Sequence, residues 1–404
     1  MAFKRTVVHG LAGVLGGLAL AVAPTTVPAT AEAVYPAPDP DPFYWTPGNI
    51  GDYAPGDVID SRVQPGIPLL PGTTVTLVKF RSNDSHGNPI AATTTVLTPF
   101  NHAANTPLIS YQAFINGLGP QCAVSHTISG YDPINGVREM PLFNVWLARG
   151  FAVALPDHEG PQFALGAGRL GGQITLDGVR AVHRTGSLGL GGSPTVLAGY
   201  SAGGLATAWA AALQPAYAPD LQLAGAVVGG VPANLDEMVQ RAGPAVDAGF
   251  GMAMAAALGL EREYPQMNVS SRLTAAGRQA AAALTNACIG QILASGPGHT
   301  VTEYATDTGI LSDPAIRGVL QDNSVELYGG APATPILEWH APNDEFLPDD
   351  AISRTDQHWC AAGNPVLSVR PAIPEHIATF IAGFPGMMAW IEARFDGLPP
   401  LSNC

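Results

Sequence analysis

The stretch that most restricts this chain is VLAGYSAGGLATAWAA, residues 196–211. Val196 to Ala198 read as the end of a buried strand. Leu205 to Leu213 contain no Gly or Pro and read as a helix. Between them, Gly199-Tyr200-Ser201-Ala202-Gly203 fits G-x-S-x-G. Glycines on either side let the strand and the helix pack closely. The residue at the apex takes a strained conformation, and its side chain stands clear of the sheet. The helix N-terminus behind Ser201 offers free backbone N–H groups and a positive dipole end, which suits a developing oxyanion. A glycine-rich turn with an incidental serine has the same letters. The strand before and the helix after separate the two readings.

The rest of the chain repeats the alternation. Residues from about Thr73 to Thr98 give two β-rich runs around the turn NDSHGN, a hairpin signal. TPLISYQAF is a short apolar strand, and PLFNVWLARGFAVALPDHEG reads as helix, glycine, strand and loop. GGQITLDGVRAVHRTG reads as a helix; LQLAGAVVGGVP, ATPILEWHAPND and NPVLSVRPAIPEH read as further strands. Strands alternating with helices imply an α/β fold, a mostly parallel sheet with helices on both faces. From Ala233 to Leu327 the pattern is Ala-rich, helical and strand-free. It reads as a helical cap inserted into the sheet domain. The expected organisation is therefore a core over 34–232 with a Pro-rich N-terminal arm, the cap over 233–327, and the rest of the core over 328–404.

A lone serine is a weak nucleophile and needs a base oriented by an acid. In a fold with this elbow the order is Ser, acid, His. His376 follows the last strand and opens a helix, at the strand end where open α/β sheets bind ligands. The competing His358 lies in a helical stretch before that strand. Asp344 follows the strand Ile336–Trp339, and its short reach suits a tight loop; its neighbour Glu345 is the rival. Ala202 supplies one oxyanion N–H as the residue after the nucleophile. The second donor belongs in the loop of LISYQAFINGLGPQC, where Asn116 and its neighbours are equivalent from the residues alone. This chemistry requires neither metal nor organic cofactor.

Composition narrows the partners. The 404 residues carry a net charge of −14, and only 12% are charged. No Lys/Arg stripe exists to neutralise phosphates, so nucleic acid is excluded as a partner. MAFKR, then VVHGLAGVLGGLALAVA, then PATAEA has the form of a secretory signal peptide over 1–33, with an uncleaved anchor as the alternative. AGFGMAMAAALGL is too short for a membrane span and reads as an amphipathic or buried helix. Cys122, Cys288, Cys360 and Cys404 make an even count, which in an exported chain implies two disulfides. None has metal-site spacing.

The runs SYQAFINGLGPQC, LPDHEGPQFALGAGRLGGQITLDGVRA, GYSAGG, HAPNDEFLP and the late EH resemble the secretory lipase family, which includes fungal lipase A and many actinobacterial lipases. The resemblance runs through most of the mature chain. It implies an α/β-hydrolase fold with a helical lid, and a triad of Ser201, Asp344 and His376. It implies Asn116 as the first oxyanion residue, where the family usually has Asp. His158 stands where the family usually has Tyr, and is expected as a wall residue. The disulfides implied are Cys122–Cys288 and Cys360–Cys404. The function implied is secreted hydrolysis of lipid or small esters, with contact at lipid droplets or membranes. A short-chain esterase or acyltransferase with the same triad, and a catalytically inactive lipid-binding relative, are the competing functions.

Overall fold

The computed structural model describes residues 33–404 except 115, 130–132, 246–248, 348 and 374. Residues 1–32 of the expected signal peptide lie outside the described residues. The strands are β1 (Val58–Gln64), β2 (Thr73–Asn83), β3 (Pro89–Pro99), β4 (Leu108–Gln112), β5 (Ala152–Pro156), β6 (Thr195–Tyr200), β7 (Leu223–Gly229), β8 (Ile336–Trp339) and β9 (Val366–Val369). They form one sheet in the order β1-β2-β3-β5-β4-β6-β7-β8-β9. The hairpin β2–β3 is antiparallel, and β3 joins β5 antiparallel. From β5 through β4 to β9 every pairing is parallel.

The strand order explains where a site can form. The chain leaves β4 for β5 on one side and returns to β6 on the other. Loops leaving neighbouring strands in opposite directions open a crevice at their carboxyl ends. Gln112, at the end of β4, is level with Gly199, two residues before Ser201. The loop after Gln112 and the turn at Ser201 therefore begin side by side.

The strand β1 is not foreshadowed by the Pro-rich arm reading. Its sequence VIDSRVQ is half polar, and none of its residues is fully buried, as suits the edge of a sheet. The inner strands β4, β5 and β6 are buried at every residue, the mark of strands covered on both faces.

The helices are α1 (Val124–Thr127), α2 (Pro133–Ala148), α3 (Gly168–Arg184), α4 (Ala202–Tyr217), α5 (Leu235–Ala242), α6 (Phe250–Glu263), α7 (Ala275–Leu284), α8 (Ile289–Ala294), α9 (Val301–Tyr304), α10 (Pro314–Asp322), α11 (Asp349–Ala361) and α12 (His376–Phe395). Strand alternation assigns the two layers. Val196, Ala198 and Tyr200 pack with Trp146 of α2 and with Trp390 and Ile391 of α12. Leu197 points the other way, toward Leu176 of α3 and Trp209 of α4.

Between β7 and β8 the described residues hold α5 to α10 and short 3-10 turns, with no named strand. The caps explain several starts: Asn234 accepts from Glu237 N, Thr274 from Gly277 N, and Asp313 from Ala315 N. These helices bury Phe250, Met254, Leu258, Leu284 and Ile292 in a cluster of their own. That cluster also takes in Leu118, from the loop after β4, and Ala202 packs against it. Among the described residues no helix is long and apolar enough to cross a membrane.

Cys122 is bonded to Cys288, and Cys360 to Cys404. The first joins the stretch after β4 to the helical segment. The second holds the C-terminal tail, where Asn403 donates to Val366 O at 3.0 Å and so lies along the edge of β9.

Candidate active site

Ser201 occupies the turn between β6 and α4 with φ 59° and ψ −124°. A non-glycine residue there is strained, and such strain persists only where the surroundings over-determine it. Its N–H donates to Gly229 O at 2.9 Å, and its carbonyl accepts from Leu205 N at 2.9 Å. The flanking glycines are required by space. A Cβ on Gly203 would lie 2.0 Å from Gln112 O, and one on Gly199 would lie 2.4 Å from Gly203 O. The strand and the helix can meet only without those side chains. Ala202 is the first residue of α4, so its N–H is among those with no intrahelical acceptor.

His376 opens α12, whose cap is Glu375. Its Nδ1 lies 2.6 Å from Asp344 Oδ2. A carboxylate only accepts, so Nδ1 carries the hydrogen in this contact. The other oxygen of Asp344 accepts from the N–H groups of Phe346 and Leu347 at 2.9 and 3.0 Å. Burial pushes the Asp344 carboxyl up. The bond to His376 and those N–H groups outweigh it and hold the carboxyl below its ordinary range. Asp344 is therefore ionised at neutral pH. Glu345 takes a different part of the same residue, accepting the backbone N–H of His376 at 3.0 Å.

Two contacts bring the ring of His376 toward the serine turn. Tyr200, the residue before Ser201, donates its hydroxyl to His376 O at 2.7 Å, with the rings 4.9 Å apart. A Cβ on Gly230 would lie 2.9 Å from His376 Cε1. Gly230 follows Gly229, the acceptor of the Ser201 N–H. His358 lies on α11 with its Nε2 buried and without a hydrogen-bond partner in the protein.

The loop after β4 is held by side chains from two neighbouring segments. Glu139 accepts the N–H of Phe114 at 2.9 Å. His158 donates Nε2–H to Ala113 O at 2.9 Å; burial lowers its pKa and keeps the ring neutral. It is thus a support of the loop stem, as well as a lining residue of a small cleft shared with Glu159, Ala202 and Leu205. Asn116 is buried, and its carbonyl accepts from Ile289 N at 3.0 Å. The N–H groups of Asn116 and Gly117 face the carboxyl of Glu159. Glu139 and Glu159 carry no role in the sequence reading. Glu159 had a signal: an acid between glycine and histidine directly after a buried apolar strand. Among the described residues no group of His, Cys, Asp and Glu could hold a metal ion.

The secretory lipase family model matches residues 134–403. The chain belongs to the secretory lipase family. It is 31% identical to Lipase A of Moesziomyces aphidis over 96% of this chain and 86% of that one. It is 32% identical to the probable inactive lipase MT1628 of Mycobacterium tuberculosis over 90% of this chain and 83% of that one. Its fold matches the closed state of Candida antarctica lipase A with a TM-score of 0.83 and 30% identity, covering 92% of this chain and 91% of that one. The fold is that of the α/β-hydrolases, and the secretory lipase is a hydrolase of the lipase and esterase class.

Proposed function

We propose that this secretory lipase cleaves carboxylic esters, triacylglycerols above all, through Ser201, His376 and Asp344. Ser201 Oγ attacks the ester carbonyl, and His376 Nε2 takes the serine proton. His376 returns that proton to the leaving alcohol. Asp344 fixes the imidazole tautomer and stabilises the imidazolium. The N–H groups of Ala202 and Asn116 hold the oxyanion, and water hydrolyses the acyl-enzyme. The observation that carries this reading is the 2.6 Å His376–Asp344 pair, set against the strand that leads into the strained Ser201.

The apolar cluster of the helical segment reaches both Leu118 and Ala202, which favours an acyl chain over a polar acyl group. Residues 233–327 are read as the lid over this site, opening at a lipid surface. Signal-peptide removal near residue 33 and export fit the two disulfides.

Hydrolysis of triglycerides of graded chain length by the mature protein tests the reading, with Ser201→Ala as control. Turnover equal to wild type in Ser201→Ala would sink it. A probable inactive lipase stands among the relatives, so fluorophosphonate labelling of Ser201 is the companion measurement. An unlabelled protein would favour a lipid-binding role. Product analysis with an added alcohol acceptor separates hydrolysis from acyl transfer.

A further inference from the structure

The loop after β4 and the helical segment between β7 and β8 meet along a seam of backbone contacts. Leu118 N donates to Ala287 O at 2.9 Å, and Ile289 N donates to Asn116 O at 3.0 Å. Gly117 and Cys288 thus form one antiparallel rung. The glycines of the run INGLGPQC set how close the two chains come. A Cβ on Gly117 would lie 2.5 Å from Ala287 O, and one on Gly119 would lie 2.8 Å from Asn286 Cα. The Cys122–Cys288 bond lies in the same seam. Asn116 is therefore fastened to the helical segment through its own carbonyl.

Arg262, on α6, spans this seam. It is 4% exposed, and its guanidinium donates to five backbone carbonyls. Nη1 reaches Leu118 O at 2.8 Å, Gln162 O at 3.0 Å and Phe163 O at 3.3 Å. Nη2 reaches Thr285 O at 2.8 Å, and Nε reaches Val34 O at 2.9 Å. Leu118 belongs to one side of the seam and Thr285 to the other, so one planar group holds both. A buried charge is costly unless its donors are met, and a guanidinium presents those donors in a rigid fork. The triad chemistry does not use it.

We propose that Arg262 is a positioning residue for the oxyanion loop. Its fork sets the spacing between Leu118 and Thr285, and the rung at Gly117 and Cys288 passes that spacing to the peptide of Asn116. The Asn116 N–H is thereby held in place relative to Ala202 before an oxyanion develops. Lysine keeps the charge but offers one nitrogen in place of three, so it cannot meet all five carbonyls. Lid opening leaves this seam closed, because a disulfide lies within it. This inference rests on the ester-hydrolase reading above.

The test is kcat and KM of the full mature chain on p-nitrophenyl butyrate, at one temperature below every variant's melting midpoint. Arg262→Lys lowers kcat by about 10–100-fold and changes KM by less than about threefold, the scale of a displaced transition-state donor. Arg272→Gln is the control, since Arg272 also lies in the helical segment but pairs with Asp307 and Asp313. It lowers the melting temperature and keeps kcat within about twofold. Ile289 opens α8, a position that tolerates proline. Ile289→Pro removes the donor to Asn116 O, whereas Ile289→Ala trims the side chain and keeps that donor. The proline variant should have a kcat about tenfold or more below that of the alanine variant. The proposal falls if folded Arg262→Lys keeps wild-type kcat, loses only in KM, or loses no more kcat than Arg272→Gln. Should Arg262→Lys fail to fold, the Ile289 pair decides, and equal kcat in its two members overturns the proposal. Activity surviving in Ser201→Ala would overturn the ester-hydrolase reading instead, whatever these variants do.

Discussion

Tyr200 holds His376 by the backbone: its hydroxyl donates to the His376 carbonyl at 2.7 Å. Tyr200 precedes the proposed nucleophile, and His376 is the proposed base, so one side chain links the two loops that must meet. Burial, with the nearby carboxylates, keeps that hydroxyl protonated far above neutrality. Tyr200→Phe preserves the ring stack on Phe114 and Trp339 and removes only the bond. It should cost about 1 kcal/mol of stability, the net worth of one hydrogen bond. It should lower kcat by roughly 3–30-fold, since a small displacement of a reacting group is expensive. Steady-state kinetics and a melting curve on the same preparation check both. A lower melting temperature with unchanged kcat would make Tyr200 purely structural.

Asp344 and Glu345 both touch His376, one at the ring and one at the backbone. The proposed roles separate on mutation. Asp344→Asn puts an amide against Nδ1, favours the wrong tautomer, and should lower kcat by about 10⁴-fold. Glu345→Gln keeps an acceptor for the His376 N–H and should lower kcat by less than about tenfold. Rapid-quench or steady-state rates on one ester suffice. The reverse ranking would move the acid to Glu345.

The sequence was legible where geometry demands a particular residue type. Gly203 could be read because no other residue lets α4 approach Gln112 O. The strands β2 to β8 could be read because buried strands need apolar runs, and the edge strand β9 from its own short VLSV run. The strand β1 could not: it is a polar edge, and its pairing with β2 comes from the backbone. Arg262 was equally silent. Its buried guanidinium donates to the carbonyls of Val34, Leu118, Gln162 and Thr285, tying α6 to the arm and to the loop after β4. Backbone acceptors exist at every residue, so such a contact leaves no partner letter to find. Asp344 and His376 are proposed as acid and base from chain order and strand ends, whereas the contacts of Tyr200 depend on how separate loops fold together.

The two disulfides differ in what they protect. Their sequence separations are 166 for Cys122–Cys288 and 44 for Cys360–Cys404. Loop-closure entropy alone assigns about 5 and about 4 kcal/mol to them. Cys360→Ser/Cys404→Ser releases the tail from β9, lowers stability and leaves kcat nearly unchanged. Cys122→Ser/Cys288→Ser loosens the stretch that carries Leu118 and Asn116, and should lower kcat as well. Thermal melts with kinetics at 20 °C below each midpoint give the comparison. Equal kinetic losses in both variants would contradict it.

Stability should fall as pH rises from about 7 to about 8.5. Burial raises the carboxyls of Asp157 and Asp356 to about 6 and of Glu159 to about 8, from ordinary values of 3.8, 3.8 and 4.5. Burial also pushes Glu338 well above its ordinary value. The sign follows from the proton count. Between its ordinary and its raised pKa, each group is protonated when folded and ionised when unfolded. The contribution is complete below the ordinary pKa and lost as pH climbs through the raised one, so the window runs from about 4 to about 8. Asp344, Asp41 and Asp236 are held low by His376, Arg62 and Arg317, and their contribution disappears only on acidification below the ordinary carboxylate range. Burial lowers the pKa of His158, His183 and His340, so these act the other way and lose stability as pH falls below their ordinary 6.5. The net decline is therefore expected between about pH 7 and pH 8.5. Melting temperatures across this range, in constant ionic strength, provide the check. Glu159→Gln cannot ionise, so its advantage over wild type should grow steadily from pH 5 to pH 8.5. A melting temperature that rises from about pH 7 to about pH 8.5, or a Glu159→Gln difference that does not vary with pH, would show that these carboxyls are already ionised in the folded protein.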